Sequence, residues 1–317
     1  MFRCAIIDDY QGCALGLADW ASLPGIAVQS FPDPITDPAA RAASLAGFDI
    51  VVCMRERTRF GSDMLAALPD LKLLVTSGMR NLAIDLPAAA ARGVTVCGTT
   101  ATPTAAPELA WGLIMALARH IPADAASVRN GERWQTRLGI GLAGRTIGIV
   151  GLGAIGTRIA RYAQAFEMHP IAWSRNLTDE RCHAAGVERA PDLDTLLTRA
   201  DIVTLHMILG DSTRGLLGAR ELALMKPTAL LVNTSRGPLV DEAALVDALR
   251  HDRLAGAGLD VYDTEPLPPG HPFRTLPNVV ALPHIGYVTR ENYLHYFRGA
   301  VEDIAAWMQG SPIRTLG

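Results

Sequence analysis

Three short stretches carry side chains able to hold an anion and exchange a proton, and each follows an apolar, strand-like run. Asn233-Thr234-Ser235-Arg236-Gly237 follows Ala229–Asn233. Asp260-Val261-Tyr262-Asp263-Thr264-Glu265-Pro266 overlaps the end of Ala257–Val261, and Pro283-His284-Ile285-Gly286 follows Val279–Leu282. As consecutive strands, these runs deliver a guanidinium (Arg236), a carboxylate (Glu265) and an imidazole (His284) to one carboxyl edge, where ligands of open α/β sheets bind. Each residue alone also has a plain structural reading: a helix-flanking arginine, a loop glutamate, a histidine bonded to backbone. Together, downstream of a glycine-rich motif, they can clamp an anion and exchange a proton.

That motif is Gly151-Leu152-Gly153-Ala154-Ile155-Gly156, which fits G-x-G-x-x-G. The hexapeptide is weak by itself, but here it follows the strand-like Thr146–Val150 and opens a helical pattern, Thr157–Phe166. Gly151 permits the tight turn, Gly153 lets backbone approach a pyrophosphate, and Gly156 allows close helix packing beside N–H groups that face the phosphate. The end of the next strand ordinarily separates NAD from NADP through an acidic residue. This chain reads Trp173-Ser174-Arg175-Asn176 there, a hydroxyl and a guanidinium without a carboxylate, which favours NADPH. The alternative is a surface Arg175, with Asp179 or Glu180 reaching the ribose of NAD.

The elements that must position these residues alternate along the chain. Strand candidates are Cys4–Ile7, Ile50–Met54, Leu71–Thr76, Val94–Cys97, Thr146–Val150, Pro170–Trp173, Ile202–His206, Ala229–Asn233, Ala257–Val261 and Val279–Leu282. Runs of this length, apolar on both faces, suit buried parallel strands. Between them lie helical patterns, among them Thr104–Arg119, Thr157–Phe166 and Asp241–Arg250, the last with Asp241 as N-cap. A further helix runs roughly from Arg290 to Gln309. The expectation is α/β architecture with parallel sheets. Small, polar stretches at Gly98–Pro103 and Gly286–Thr289 suggest chain crossings. They imply one domain from residues 1–98 plus 289–317 and a continuous second domain, 99–288.

Length and composition fit two such cores: 317 residues, 49% of them hydrophobic. A charged fraction of 19% and a net charge of −3 argue against a nucleic-acid surface. Cys4, Cys13, Cys53, Cys97 and Cys182 are scattered without a C-x-x-C pair, which reads as reduced thiols and not as a disulfide or metal framework. The N-terminal run meets Asp8 and Asp9 at once, unlike a signal peptide, and the apolar stretch Ala110–Ala118 falls well short of the ~20 residues that span a bilayer. The expectation is a soluble, cytoplasmic protein with no membrane partner.

On these motifs, in this order and approximate spacing, the chain resembles the D-isomer-specific 2-hydroxyacid dehydrogenases, which include glyoxylate/hydroxypyruvate reductases and D-3-phosphoglycerate dehydrogenase. The resemblance covers essentially the whole chain and is strongest from Thr146 to Gly286. It implies two doubly wound parallel-sheet domains, a Rossmann cofactor domain inserted in a flavodoxin-like substrate domain. The implied reaction is hydride transfer between NAD(P)H and C2 of a small 2-keto or 2-hydroxy acid. Arg236, Glu265 and His284 become the implied catalytic trio, with cofactor contacts from Ala154, Ile155, Ser174, Arg175, Thr234, Ser235, Asp260 and Gly286. In those roles His284 protonates the carbonyl oxygen and acts as base in reverse. Glu265 orients the ring and favours its charged form, and Arg236 clamps the substrate carboxylate. A homodimer through the cofactor domain is also implied.

Departures from the family pattern bear on the substrate. Family members usually hold the substrate carboxylate on backbone N–H groups of a glycine-rich loop. Here that loop is Ser77-Gly78-Met79-Arg80-Asn81, so Gly78 and Met79 are the expected donors. Arg80 stands where a second glycine is common. It either enters the cleft to select a second anionic group, or points to solvent or pairs with Glu108. Tyr287 replaces a small residue after Gly286, and His206, ending its strand, falls near the cofactor. Formate dehydrogenases of the family carry Gln in place of Glu265, and many phosphoglycerate dehydrogenases continue into a regulatory domain not expected here. D-3-phosphoglycerate dehydrogenase, with NAD, is the alternative enzyme. A dinucleotide-sensing scaffold, like corepressors of this fold, is the alternative outside catalysis.

Overall fold

The computed structural model describes residues 1–317, and its contacts divide the chain into two compact units, Met1–Thr102 with Val288–Gly317, and Pro103–Tyr287. The first unit holds β1 (Phe2–Ile6), β2 (Ile26–Ser30), β3 (Ile50–Cys53), β4 (Leu73–Thr76) and β5 (Thr95–Gly98). All pairs are parallel in the order β2-β1-β3-β4-β5, the flavodoxin-like winding. β3 and β4 are buried at every position, as continuous Ile/Val/Leu runs require when helices cover both faces. β2 was not legible in the sequence: it is an edge strand whose partly buried and exposed residues alternate. The helix Arg290–Met308 belongs to this unit, capped by the Thr289 side chain.

The second unit holds β6 (Thr146–Val150), β7 (His169–Trp173), β8 (Glu188–Arg189), β9 (Ile202–Leu205), β10 (Leu230–Asn233), β11 (Gly256–Leu259) and β12 (Val279–Ala281). Their order, β12-β11-β10-β9-β6-β7-β8, is the Rossmann winding with a seventh strand, and it reverses between β6 and β9. Two apolar layers cover the sheet. One contains Leu113, Ile114, Ile147, Ile149, Ile159 and Val232; the other contains Leu196, Val203, Leu231, Leu245 and Leu259. The helix Ala105–Ala118 contributes to the first layer, and Asp241 caps Glu242–Arg250 by accepting the Ala244 N–H at 3.0 Å.

One helix boundary differs from its expectation. The helix after the glycine turn begins at Ala154, three residues before Thr157, so Gly156 lies inside its first turn. No helix is long and apolar enough to cross a membrane, and all five cysteines are unpaired.

Candidate active site

The ends of β10, β11 and β12 are each locked by their own side chains. After β10, buried Asn233 accepts the Ser235 N–H at 3.0 Å and donates to the Arg236 carbonyl at 2.8 Å, closing a tight turn. Ser235 donates its hydroxyl to the Leu205 carbonyl on neighbouring β9 at 2.7 Å, and Arg236 emerges from this turn in extended backbone. After β11, the Tyr262 hydroxyl donates to the carbonyls of Leu259 at 3.1 Å and Leu282 at 2.8 Å, tying β11 to the segment after β12.

Glu265 is held from both sides. Its Oε1 accepts the Tyr262 N–H at 3.0 Å, and its Oε2 lies 2.5 Å from His284 Nδ1. His284 adopts the left-handed region at φ 54, uncommon for a side-chain-bearing residue. Asp260 holds that turn: its oxygens accept the N–H groups of Ile285 at 2.8 Å and Gly286 at 2.7 Å. Asp260 is fully buried, and that burial pushes its carboxyl up to about 6. The Tyr287 ring packs edge-on against the His284 ring, with centroids 5.5 Å apart. The structure therefore joins Glu265 and His284 directly, and sets Arg236 at the end of β10, with β11 between it and β12.

The glycine turn fits a dinucleotide. Gly151 has φ +102, and a Cβ there would stand 2.5 Å from the His206 carbonyl; a Cβ on Gly156 would collide with the Gly151 carbonyl. A Cβ on Gly153 would meet nothing within 4 Å, so open space lies over the turn where a pyrophosphate is expected. The first-turn N–H groups of the following helix have no intrahelical partners and face that end. Ser174 and Arg175 follow β7, and Arg175 donates to the Ser212 carbonyl at 3.2 Å. Asp179, one alternative ribose ligand, is engaged by Arg189 at 3.0 Å. His206 bonds Thr204 through Nε2 at 2.9 Å, and burial pulls it down to about 3, so it is neutral at pH 7.

In the other unit, Gly78 takes φ +90 after β4, and a Cβ there would strike the Arg55 guanidinium. One expectation changes in detail. The Gly78 N–H donates to Thr99 Oγ1 at 3.2 Å, so it is already engaged within its own unit. Arg80 is exposed. The loop is stitched to the β3 end by Arg55 N–H to Ser77 Oγ at 2.9 Å and Asn81 Nδ2 to the Arg55 carbonyl at 2.6 Å. Sequence reading missed Arg55 and the Tyr262 clamp, and it saw Asp260 only as a cofactor contact. The signal available for Asp260 was a carboxylate ending a wholly apolar strand.

Known proteins place this geometry. Residues 111–286 match the model of the D-isomer specific 2-hydroxyacid dehydrogenase NAD binding domain. A glyoxylate reductase from Aeropyrum pernix is 41% identical over 261 residues, covering 80% of this chain and 78% of its own. A D-3-phosphoglycerate dehydrogenase from Archaeoglobus fulgidus is 36% identical over 266 residues, which cover 83% of this chain but only 50% of that longer protein. A phosphoglycerate oxidoreductase structure from Vibrio cholerae superposes with a TM-score of 0.94 at 37% identity, covering 98% of this chain and 100% of that one. With the glycine turn, the Rossmann winding and near-complete alignment all agreeing, this chain belongs to the D-isomer specific 2-hydroxyacid dehydrogenase family and is an oxidoreductase with a nicotinamide dinucleotide-binding domain.

Proposed function

We propose that this 2-hydroxyacid dehydrogenase reduces small 2-keto acids of glyoxylate or hydroxypyruvate size, prefers NADPH, and uses Arg236, Glu265 and His284 as its catalytic residues. The observation that carries the reading is the 2.5 Å bond between Glu265 Oε2 and His284 Nδ1 at the carboxyl edge of the cofactor-binding sheet. With Nδ1–H directed at the carboxylate, Nε2 is the nitrogen that carries the exchangeable proton. His284 donates that proton as negative charge builds on the substrate carbonyl oxygen, and takes it back in the oxidative direction. Glu265 holds the ring in the required orientation and balances the imidazolium. Arg236 binds the substrate carboxylate and polarises the carbonyl. Bound NADPH supplies the hydride. Thr234, Ser235, Ala154, Ile155 and Gly286 would line the dinucleotide. Ser174 and Arg175, at a strand end without a carboxylate, favour a 2′-phosphate.

The glyoxylate reductases from Aeropyrum pernix and Thermococcus litoralis, matched over 78% and 71% of their lengths, support the small-acid reading. A second reading, D-3-phosphoglycerate oxidation, is supported by the D-3-phosphoglycerate dehydrogenase from Archaeoglobus fulgidus, matched over 83% of this chain and 50% of its own length. The proposed state is a cytoplasmic homodimer; five unpaired thiols suit a reducing compartment.

Loss of reduced-nicotinamide absorbance, followed with glyoxylate, hydroxypyruvate, 3-phosphohydroxypyruvate and longer 2-keto acids, tests the proposal. NADPH and NADH are run in parallel. The expected result is turnover that needs a small 2-keto acid, favours NADPH, and falls about 10²–10⁴-fold in His284→Ala. Preference for the phosphorylated acid with NADH supports the second reading. Tight dinucleotide binding without turnover of any acid points instead to the sensing scaffold.

A further inference from the structure

The glycine turn after β6 and the end of β7 lie side by side in the sheet, and the adenosine ribose of a bound dinucleotide sits between two such points. One side chain that the catalytic reading does not use bridges them. Arg181, in the first turn of the helix Asp179–Ala185, reaches back 29 residues and donates from Nη2 to the Leu152 carbonyl at 2.6 Å, inside Gly151-Leu152-Gly153. That bond uses one of the guanidinium's five N–H groups and fixes the direction of the rest.

The charges around this corner are unbalanced. Asp179 is engaged by Arg189 at 3.0 Å, and Glu180 is held at its helix start by its own N–H and the Thr178 hydroxyl, which lower its carboxyl. Arg175 donates to a neutral carbonyl, Ser212, and Arg181 to another, Leu152, and neither forms an ion pair. One guanidinium is thus anchored on the glycine turn and another follows β7 beside Ser174, with no carboxylate ion-paired to either cation.

We propose that Arg181 is the second cation of a 2′-phosphate site whose first is Arg175, so that this chain selects NADP(H) with a pair of guanidiniums instead of one. This rests on the NADPH preference proposed above. A plain structural role, bracing the glycine turn through Leu152, makes a different prediction, because the turn serves NAD and NADP alike.

Isothermal titration of wild type, Arg175→Met and Arg181→Met with NADPH, with NADH, and with adenosine 2′,5′-bisphosphate against 5′-AMP separates the two. Arg181 is exposed, so the variant keeps its core. The expected result is that Arg181→Met weakens NADPH and the bisphosphate about tenfold or more, while NADH and 5′-AMP change by about twofold or less. Equal losses for phosphorylated and unphosphorylated ligands overturn the inference in favour of the brace, and no loss for any ligand overturns it too. A wild type that binds NADH as tightly as NADPH defeats the NADPH reading itself. A wild type that prefers NADPH, loses the preference in Arg175→Met and keeps it in Arg181→Met defeats only the role of Arg181.

Discussion

Both carboxylate oxygens of Glu265 are engaged, one by the Tyr262 N–H at 3.0 Å and one by His284 Nδ1 at 2.5 Å. Glutamine has a single acceptor oxygen, so Glu265→Gln leaves one of these donors facing an NH₂ group, and the ring loses its counter-charge. The expected outcome is a fall in kcat of about 10²-fold with Kd for the nicotinamide changed by about twofold or less, measured by steady-state kinetics and direct titration. An unchanged kcat would remove Glu265 from the mechanism. Tyr287 is a gentler case: its ring packs on His284 at 5.5 Å, so Tyr287→Phe should retain activity and Tyr287→Ala should lose roughly tenfold in kcat through a looser imidazole. Equal behaviour of the two variants would show that the ring contact is idle. Arg236, Glu265 and His284 stood out in the sequence because each lies just beyond one of three consecutive apolar strands, downstream of the glycine motif. Arg181 and Tyr262 did not, because their partners, Leu152 and Leu282, are 29 and 20 residues away and are met only after folding.

Among the elements, legibility followed burial. Strands apolar on both faces, such as β3, β4, β9 and β10, were visible as continuous runs, whereas β8 is two exposed residues, Glu188 and Arg189, with no apolar pattern to read. The C-terminal segment was equally silent. It lies antiparallel beside β5 through a Cys97–Thr315 bridge, with Gly98 N–H donating to the Arg314 carbonyl at 2.9 Å and Leu316 N–H to the Val96 carbonyl at 2.8 Å. Arg314 secures it to the helix Arg290–Met308 by donating to Asp303 at 2.9 Å and to the Gly299 carbonyl at 2.8 Å. Asp303 is fully buried, its second oxygen has no partner, and burial raises its carboxyl to about 7 despite Arg314. A carboxyl raised in the folded state contributes most stability below its unfolded value of about 4, and that contribution is lost as pH rises through about 7. Asp303→Asn cannot titrate. Its Tm relative to wild type should therefore climb between pH 5 and pH 8 in thermal unfolding, and a difference that stays flat across that range would refute the account.

At the scale of the molecule, composition made two α/β cores legible, but it does not reveal which apolar side chains stay outside. In the unit Pro103–Tyr287, Leu138 is 93% exposed, Trp134 73%, Val128 60% and Ile121 50%, all within 18 residues of one another. A single exposed leucine is ordinary, but four large apolar side chains along one short stretch are left in water at a cost of about 25 cal/mol per Å². Arg137 and Asp124 pair at 3.0 Å within the same stretch, giving it the mixed polar character found in subunit contacts. A second copy of the chain is the occupant that the proposed homodimer requires, and an isologous contact would bring this same stretch to both sides of a two-fold axis. Wild type should therefore run by light scattering at about twice the chain mass of 33.8 kDa, while Leu138→Glu with Trp134→Ala should run near that single-chain mass with an unchanged circular dichroism spectrum. Neither change removes a buried side chain, so unfolding would not explain a lower mass. A wild type that stays at one chain mass at every concentration would reject the dimer, and a double variant that remains dimeric would move the interface to another face.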